Sequence, residues 1–485
     1  MATSYVKESE LLSFFVYDTR LGLKEGTEEQ KILYYHPDNE SVNKKVRNVG
    51  LCEALVNFTK TFNPDRPCQA VHTDRKRQVF LEPEPEIWTV MTVSIPWVEQ
   101  VNNGERTVQY IQDYVQDEVL ETALQRSYSM FKLFHGSYTD VCNQAGQEGL
   151  RARLQRFYSR YLQTIDVDKL DIFSIFQGMQ FLPLDKYMYL KAHCFVNLVE
   201  TTYRNIQRTV FLYGDQLVWS GLGQEDIQIF YQYLLTWLFP NWASENPALV
   251  ASLNPLSQHS SLSLSSPPIS SSLPASHPSI ALTNVTGPGG FILGQPGTGD
   301  QRKSPWVYVT VDGLLQGCKL FVFNVGSATM CFFVKSLGKN SPSADFCKKL
   351  GTFLNPRLSQ ISREIADFIA KSKTPSTEQL YKYVYFNEMN LAVKSSRSSR
   401  RSPSPSHHIS PEAMRIIIDL NREYNELDEG ETIMRTLSDF WVVCRKSGHR
   451  RFFVILTQKN ANFAEINEEV RKLCQREFTN IFFLD

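Results

Sequence analysis

Arg47 to Leu55 reads RNVGLCEAL, in the middle of a helix predicted from about Val42 to Phe62. At 3.6 residues per turn its apolar side chains fall on two arcs. Val42, Val46, Val49, Cys52 and Val56 lie on one side, and Leu51, Leu55, Phe58 and Phe62 lie nearly opposite, with Asn43, Gly50 and Asn57 between them. A helix that covers one core carries one apolar stripe, so two arcs need burial on two sides. One arc can cover the helix's own sheet. The other meets either a further layer of the same chain, which makes a three-layer domain with both arcs internal, or a partner chain. Gly50 lowers the helix's intrinsic stability by roughly 1 kcal/mol relative to Ala, so tertiary burial must hold it.

Outward from this helix, Leu11 to Tyr17 and Lys31 to His36 read as strands, the second closed by Pro37. After it come strand patterns at Cys68 to His72, Arg77 to Leu81 and Ile87 to Ile95, with Pro83, Pro85 and Pro96 as breakers. Helical periodicity follows from about Thr107 to Phe134 and from about Glu148 to Ile165. The order strand, strand, helix, three strands, helices then recurs without shared sequence. In the second copy, Arg208 to Tyr213 and Gln216 to Trp219 flank a tight Gly-Asp turn, and a helix spans about Gln224 to Leu238. Strands near Val307 to Val311, Cys318 to Phe323 and Met330 to Val334 and a helix from about Ser343 to Ile369 complete it. The third copy begins at Tyr381 to Phe386 and Leu391 to Lys394. Its helix opens at Ser410-Pro411-Glu412, with Ser as N-cap. Strands at Phe440 to Arg445 and Arg451 to Leu456 and a last amphipathic helix from Phe463 end it.

The fold class is therefore α+β, in three units: 8–168, 205–372 and 378–485, with a helical connector at 169–204. Two segments stand outside the repeat. The Ser/Pro/Gly-rich insertion at 245–303 lacks apolar surface to offset ordering entropy and is expected to be disordered. The Ser/Arg loop at 394–409, KSSRSSRRSPSPSHH in its main part, reads as a linker, with Ser402 and Ser404 each before Pro as phosphorylation candidates.

The 485 residues carry 51 basic and 51 acidic side chains, a balance that argues against nucleic acid as the main partner. The nine cysteines show no CxxC and no zinc spacing, so reduced thiols in a cytosolic chain and no metal site are expected. The N-terminal stretch carries Lys7, Glu8 and Glu10 and does not read as a signal peptide, and no stretch reaches the ~20 apolar residues of a membrane span. Gly294 to Gly299 has P-loop glycine spacing, but Asp300 stands where the loop needs Lys. No HExxH or GxSxG is present and no catalytic pair stands out, so no catalytic residue and no cofactor are assigned. The helix after Glu148 is basic and amphipathic. Leu150, Leu154, Phe157, Tyr161 and Ile165 form one arc, while Arg153, Arg156 and Arg160 gather on another, a face for an anionic membrane or an acidic partner or a solvated face of a core helix.

Seven strings carry a resemblance: RNVGLCEAL, YSMFKLFHG (128–136), FLPLDK (181–186), FLYGDQLVWSG (211–221), YFNEMNLA (385–392), QKNAN (458–462) and NIFFLD (480–485). Together they resemble the Ccz family of vacuolar fusion proteins over nearly the whole length, the two loops excepted. The resemblance implies three longin-like domains, each a five-stranded antiparallel sheet flanked by helices. It also implies an obligate partner, the Mon subunit, with which the chain would form the guanine-nucleotide exchange factor for the late-endosomal and vacuolar Rab GTPase of the Rab seven type. A third regulatory subunit and peripheral recruitment from the cytoplasm to late-endosome and lysosome membranes belong to the same expectation. Exchange makes no covalent bond, so no catalytic group or cofactor is implied. The first domains of the two subunits would pair into the Rab platform. On that basis Leu51, Leu55 and Phe58 are candidates for contact with Mon, and Asn48, Glu53 and Asn57 for the Rab platform. A different reading is a longin-type scaffold without exchange activity, as in the Hermansky–Pudlak or Fuzzy–Inturned pairs. An RNA-associated protein using the Ser/Arg loop is another.

Overall fold

Strands β1 (Ser4–Lys7), β2 (Leu11–Asp18) and β3 (Ile32–His36) precede helix α1 (Val42–Lys60). Strands β4 (Ala70–His72), β5 (Lys76–Glu84), β6 (Ile87–Ser94), β7 (Trp97–Asn102) and β8 (Glu105–Tyr110) follow, then helices α2 (Asp117–His135) and α3 (Tyr138–Tyr161). The computed structural model describes residues 4–64, 67–102, 105–167, 170, 175–240, 289–293, 304–335, 344–372, 381–395, 411–425, 427–437, 440–458 and 460–478. The first sheet has the order β3-β2-β6-β5-β4 and is antiparallel. Central β6 is buried at every position from 87 to 93, because helices cover both of its faces. The two-residue period of a strand divides β2. Phe15 and Tyr17 face α1 together with Phe80, Trp88 and Val90. Phe14 turns to the other side, where its ring lies 4.7 Å from that of Tyr158 on α3.

The helix expected from Thr107 begins only at Asp117. Residues 105–110 instead form β8, which pairs with β7 and, through it, with β1 in a separate three-stranded sheet. The apolar spacing that suggested a helix there is overridden by pairing with the strand just upstream. The helix expected from Glu148 starts earlier, at Tyr138, and is interrupted at Gly146, whose φ of +71° no helical residue adopts. A buried carboxylate sets the α2–α3 turn. Glu84 accepts from the backbone N–H of Tyr138 (2.5 Å) and Thr139 (2.8 Å), from the Thr139 hydroxyl and from Tyr128 Oη (2.9 Å). It thereby satisfies donors at the start of α3 that have no intrahelical partner.

The second unit spans 179–376. It contains α4 (Lys186–Thr202), β9 (Ile206–Tyr213), β10 (Gln216–Ser220), α5 (Gln224–Tyr233), β11 (Gly289–Leu293), β12 (Trp306–Val311), β13 (Leu314–Val325), β14 (Ala328–Lys335) and α6 (Ala344–Ser372). The sheet runs β10-β9-β14-β13, and the position beyond β13 is shared by β12, against 314–319, and β11, against 322–325. Strand β11 lies inside the insertion expected to be disordered. Its Phe291 and Ile292 are buried, and β13 is too long for β12 alone to cover its edge. The rest of that insertion, with the glycine loop 294–299, lies outside the described residues. The connector 169–204 is not one element. Its helix α4 places Met188, Ala192, Phe195, Val196 and Val199 in the same core as Leu350, Leu354, Leu358 and Ile365 of α6. Helix α5 covers the opposite face, with the Phe230 ring 4.9 Å from that of Phe333.

The other unit joins 1–178 to 377–485. Its later part holds β15 (Tyr381–Asn387), β16 (Ala392–Ser395), α7 (Pro411–Glu423), β17 (Glu429–Arg435), β18 (Trp441–Ser447), β19 (Arg450–Leu456) and α8 (Phe463–Glu477). The sheet order is β16-β15-β19-β18-β17. Helix α7 packs on one face and α8 on the other. Asn462 and Glu465 close a capping box at the start of α8. The first and third domains share a core. Val119 of α2 and Phe176 join the α7 face, the Phe176 ring lying 5.0 Å from that of Phe386, and Arg422 forms an ion pair with Glu118.

Candidate functional site

Among the described residues, one of the two arcs of α1 is covered and the other is not. Val49, Cys52 and Val56 are buried on the sheet. Burial pushes the Cys52 thiol up to about 12, so it stays protonated and apolar. Val42, at the start of the same arc, is exposed. On the outer arc Leu51 is 58% exposed, Phe58 62% and Phe62 75%. The rings of Phe58 and Phe62 meet edge to face at 5.0 Å in solvent, and Leu55 is half-buried. The arrangement with both arcs internal is therefore not the one adopted among the described residues. Gly50 and Ala54 lie on the exposed side too, and a Cβ on Gly50 would meet nothing within 4 Å.

The three polar candidates separate. Asn57 is exposed. Asn48 donates from Nδ2 to Tyr35 Oη at 2.8 Å, tying α1 to β3. Glu53 takes both of its oxygens to Lys31 Nζ, at 2.7 and 2.8 Å, and both side chains are largely covered. Asn48 and Glu53 thus hold the helix to the edge of its own sheet. Helical spacing cannot show this, because Lys31 and Tyr35 reach them from another element. Sequence reading found the strand at Lys31 to His36 but not its place at the edge of the sheet beside α1, as β3. A groove of about 570 Å³ runs along it, lined among others by Tyr34, Tyr35, Asp38, Lys45, Arg151 and Gln155. Its polar side chains bind one another: Gln155 Nε2 donates to Asp38 (2.8 Å), Lys45 Nζ to the Asp38 carbonyl (2.9 Å), and Arg151 Nη2 to the Gln30 carbonyl (2.7 Å).

On α3, across the sheet from α1, Arg156 and Arg160 are exposed and Arg153 is half-buried. His135 lies beside them, its ring 4.8 Å from that of Phe131 and 5.8 Å from that of Phe157. Burial, with the charges of Arg153 and Arg156, holds its imidazole down at about 4. Ser402 and Ser404 lie outside the described residues. Among the described residues no group of three His, Cys, Asp or Glu side chains is placed to hold a metal, and no helix is long and apolar enough to cross a membrane.

Residues 11–136 match the family described as "First Longin domain of INTU, CCZ1 and HPS4". Residues 206–355 match "Intu longin-like domain 2" and residues 377–473 "Intu longin-like domain 3". Full-length relatives agree. A vacuolar fusion protein CCZ1 homolog of Nematostella vectensis is 42% identical over 485 aligned residues, covering 98% of each chain. That of Xenopus tropicalis is 39% identical, covering 98% of this chain and 97% of its own. That of Dictyostelium discoideum is 29% identical over 98% and 99%. Three successive longin-like domains and near full-length identity to these relatives place the chain in the CCZ1 family of vacuolar fusion proteins.

Proposed function

We propose that this chain is the non-catalytic half of a heteromeric guanine-nucleotide exchange factor. In this reading it pairs through α1 with a Mon-type longin subunit and, with it, activates a late-endosomal Rab GTPase during vacuolar trafficking. The observation that carries the reading is the uncovered arc Leu51, Phe58 and Phe62 on a helix whose other arc seals the first sheet. Exposed apolar side chains in a row mark an interaction surface. Gly50, with open space where a side chain would be, admits close approach of a partner helix. Asn48 and Glu53 act by fixing the pitch of α1 on its sheet, while Asn57 is the polar position left for Rab contact. Exchange follows from differential affinity: the pair must bind nucleotide-free Rab more tightly than the nucleotide-bound form, and only that difference displaces nucleotide. No proton or nucleophile from this chain is required.

The test is release of fluorescent GDP from the Rab in the presence of this chain, of the Mon-type subunit, and of the co-expressed pair. The expected result is acceleration by the pair alone. A soluble, verified pair that leaves release unchanged overturns exchange in favour of a longin-type scaffold.

A further inference from the structure

Helix α3 carries four arginines in its second half, Arg156 and Arg160 exposed and Arg151 and Arg153 half-buried, and they divide into two kinds. Arg151 is used by the fold, pairing with Glu148 at 2.8 Å and donating to the Gln30 carbonyl. Arg153, Arg156 and Arg160 make no hydrogen bond and no ion pair with any described residue. Their positions, i, i+3 and i+7, put them in one row spanning about 10 Å at 1.5 Å per residue. Among the described residues no carboxylate neutralises the positive field of this row. The neighbouring imidazole of His135 registers it, since Arg153 and Arg156 add to burial in disfavouring its protonation.

We propose that this row is a docking site for an acidic segment of a partner protein, with carboxylates at matching helical spacing. Three unpaired guanidinium groups in a line are complementary to such a segment. Each offers a planar fork that takes a carboxylate in bidentate fashion, which a lysine cannot do, and residues 147–161 contain no lysine. An anionic membrane fits less well. A membrane-lying helix inserts apolar side chains beside its basic ones, yet Leu150, Leu154, Tyr158 and Tyr161 are all buried in the domain and no exposed large apolar residue lies on α3. Electrostatic attraction alone supplies about 1 kcal/mol per arginine at a lipid surface, too little to hold a protein there. The site also lies on the face of the sheet opposite α1, so an acidic segment and a subunit on α1 can be bound together. The proposal does not depend on exchange activity.

The experiment uses the full chain and two synthetic peptides of equal length and charge. One is helical with Glu at i, i+3 and i+7, and the other carries the same Glu residues clustered. Titration calorimetry or fluorescence anisotropy is run at low and at physiological salt, with phosphatidylserine vesicles as a separate arm. The expected result is tighter binding of the matched peptide than of the clustered one. That binding should fall at least 10-fold in a triple variant with Arg153→Gln, Arg156→Gln and Arg160→Gln, and by an intermediate factor when the same three positions become Lys. Near-ultraviolet circular dichroism establishes that both variants keep the fold. Equal binding of the two peptides, peptide binding that survives the Gln variant, or no peptide binding at all overturns the proposal. So does arginine-dependent vesicle binding without preference for the matched peptide, which would assign the row to a membrane.

Discussion

Two side chains in the first domain show how a single residue controls its surroundings. Glu84 is buried with four donors aimed at it, three of them from the α2–α3 turn and its first helical residues. Removing the carboxylate leaves those donors without partners in a closed site, which costs more than the bonds themselves contribute. Glu84→Ala should lower the unfolding free energy by about 3 kcal/mol or more, read from the denaturant midpoint. Tyr128, whose hydroxyl is pushed up by burial and by this carboxylate, reports on the site by its absorbance. His135 gives a pH-dependent term. Its ordinary pKa is about 6.5 and the fold holds it at about 4. Between those values the unfolded chain binds a proton that the folded chain refuses. This contribution is therefore complete above pH ~6.5 and is lost as pH falls toward 4. His135→Gln should flatten the fall in unfolding midpoint between pH 6.5 and 4.5 relative to the native chain.

At the scale of an element, the proposed pairing would make α1 separate stability from recognition. Its inner arc belongs to the core and its outer arc does not, so substitutions on the two should have opposite signatures. Leu51→Asp with Phe58→Asp should leave the unfolding midpoint within about 1 kcal/mol of native, because neither side chain gives up a buried contact. If α1 pairs as proposed, the same two substitutions should abolish co-purification with a Mon-type subunit; a normal yield of complex would remove the outer arc from the proposed interface. Gly50 sharpens the test. Open space around it means Gly50→Ala should stabilise the isolated chain by about 1 kcal/mol through helix propensity. If a partner helix approaches there, the added methyl should weaken pairing, measured as a raised dissociation constant. Both arcs, and Gly50 between them, were visible from helical spacing alone. The roles of Asn48 and Glu53 were not, because Tyr35 and Lys31 come from the neighbouring strand and turn.

For the whole molecule, the boundaries of the domains follow packing rather than the order of elements. Helix α4 reads as a connector, since it lies between two repeats of the strand–helix order. Its five buried side chains nevertheless complete the core beneath α6. The four larger ones, Met188, Phe195, Val196 and Val199, are each worth roughly 1.5–3 kcal/mol when buried, so together they rival the net stability of an ordinary domain. A fragment covering 179–376 should unfold cooperatively, while one covering 205–372 should show no cooperative transition by circular dichroism. Equal behaviour of the two would return α4 to the status of a linker. Similarly, 175–178 is no free linker. Phe176 enters the core of the third domain, and a Cβ on Gly178 would come within 2.2 Å of Val393. The sequence by itself determined the α+β class, the threefold order, the tight turn at Gly214 and Asp215 and the two-sidedness of α1. Each is set by periodicity or turn chemistry within a few residues. Only the tertiary structure decided that 105–110 is a strand, that 289–293 completes an edge, that α4 belongs to the second core, and which arc of α1 stays open. Those outcomes depend on what packs against an element from far along the chain, and the period of a helix or strand is the same whichever neighbour covers it.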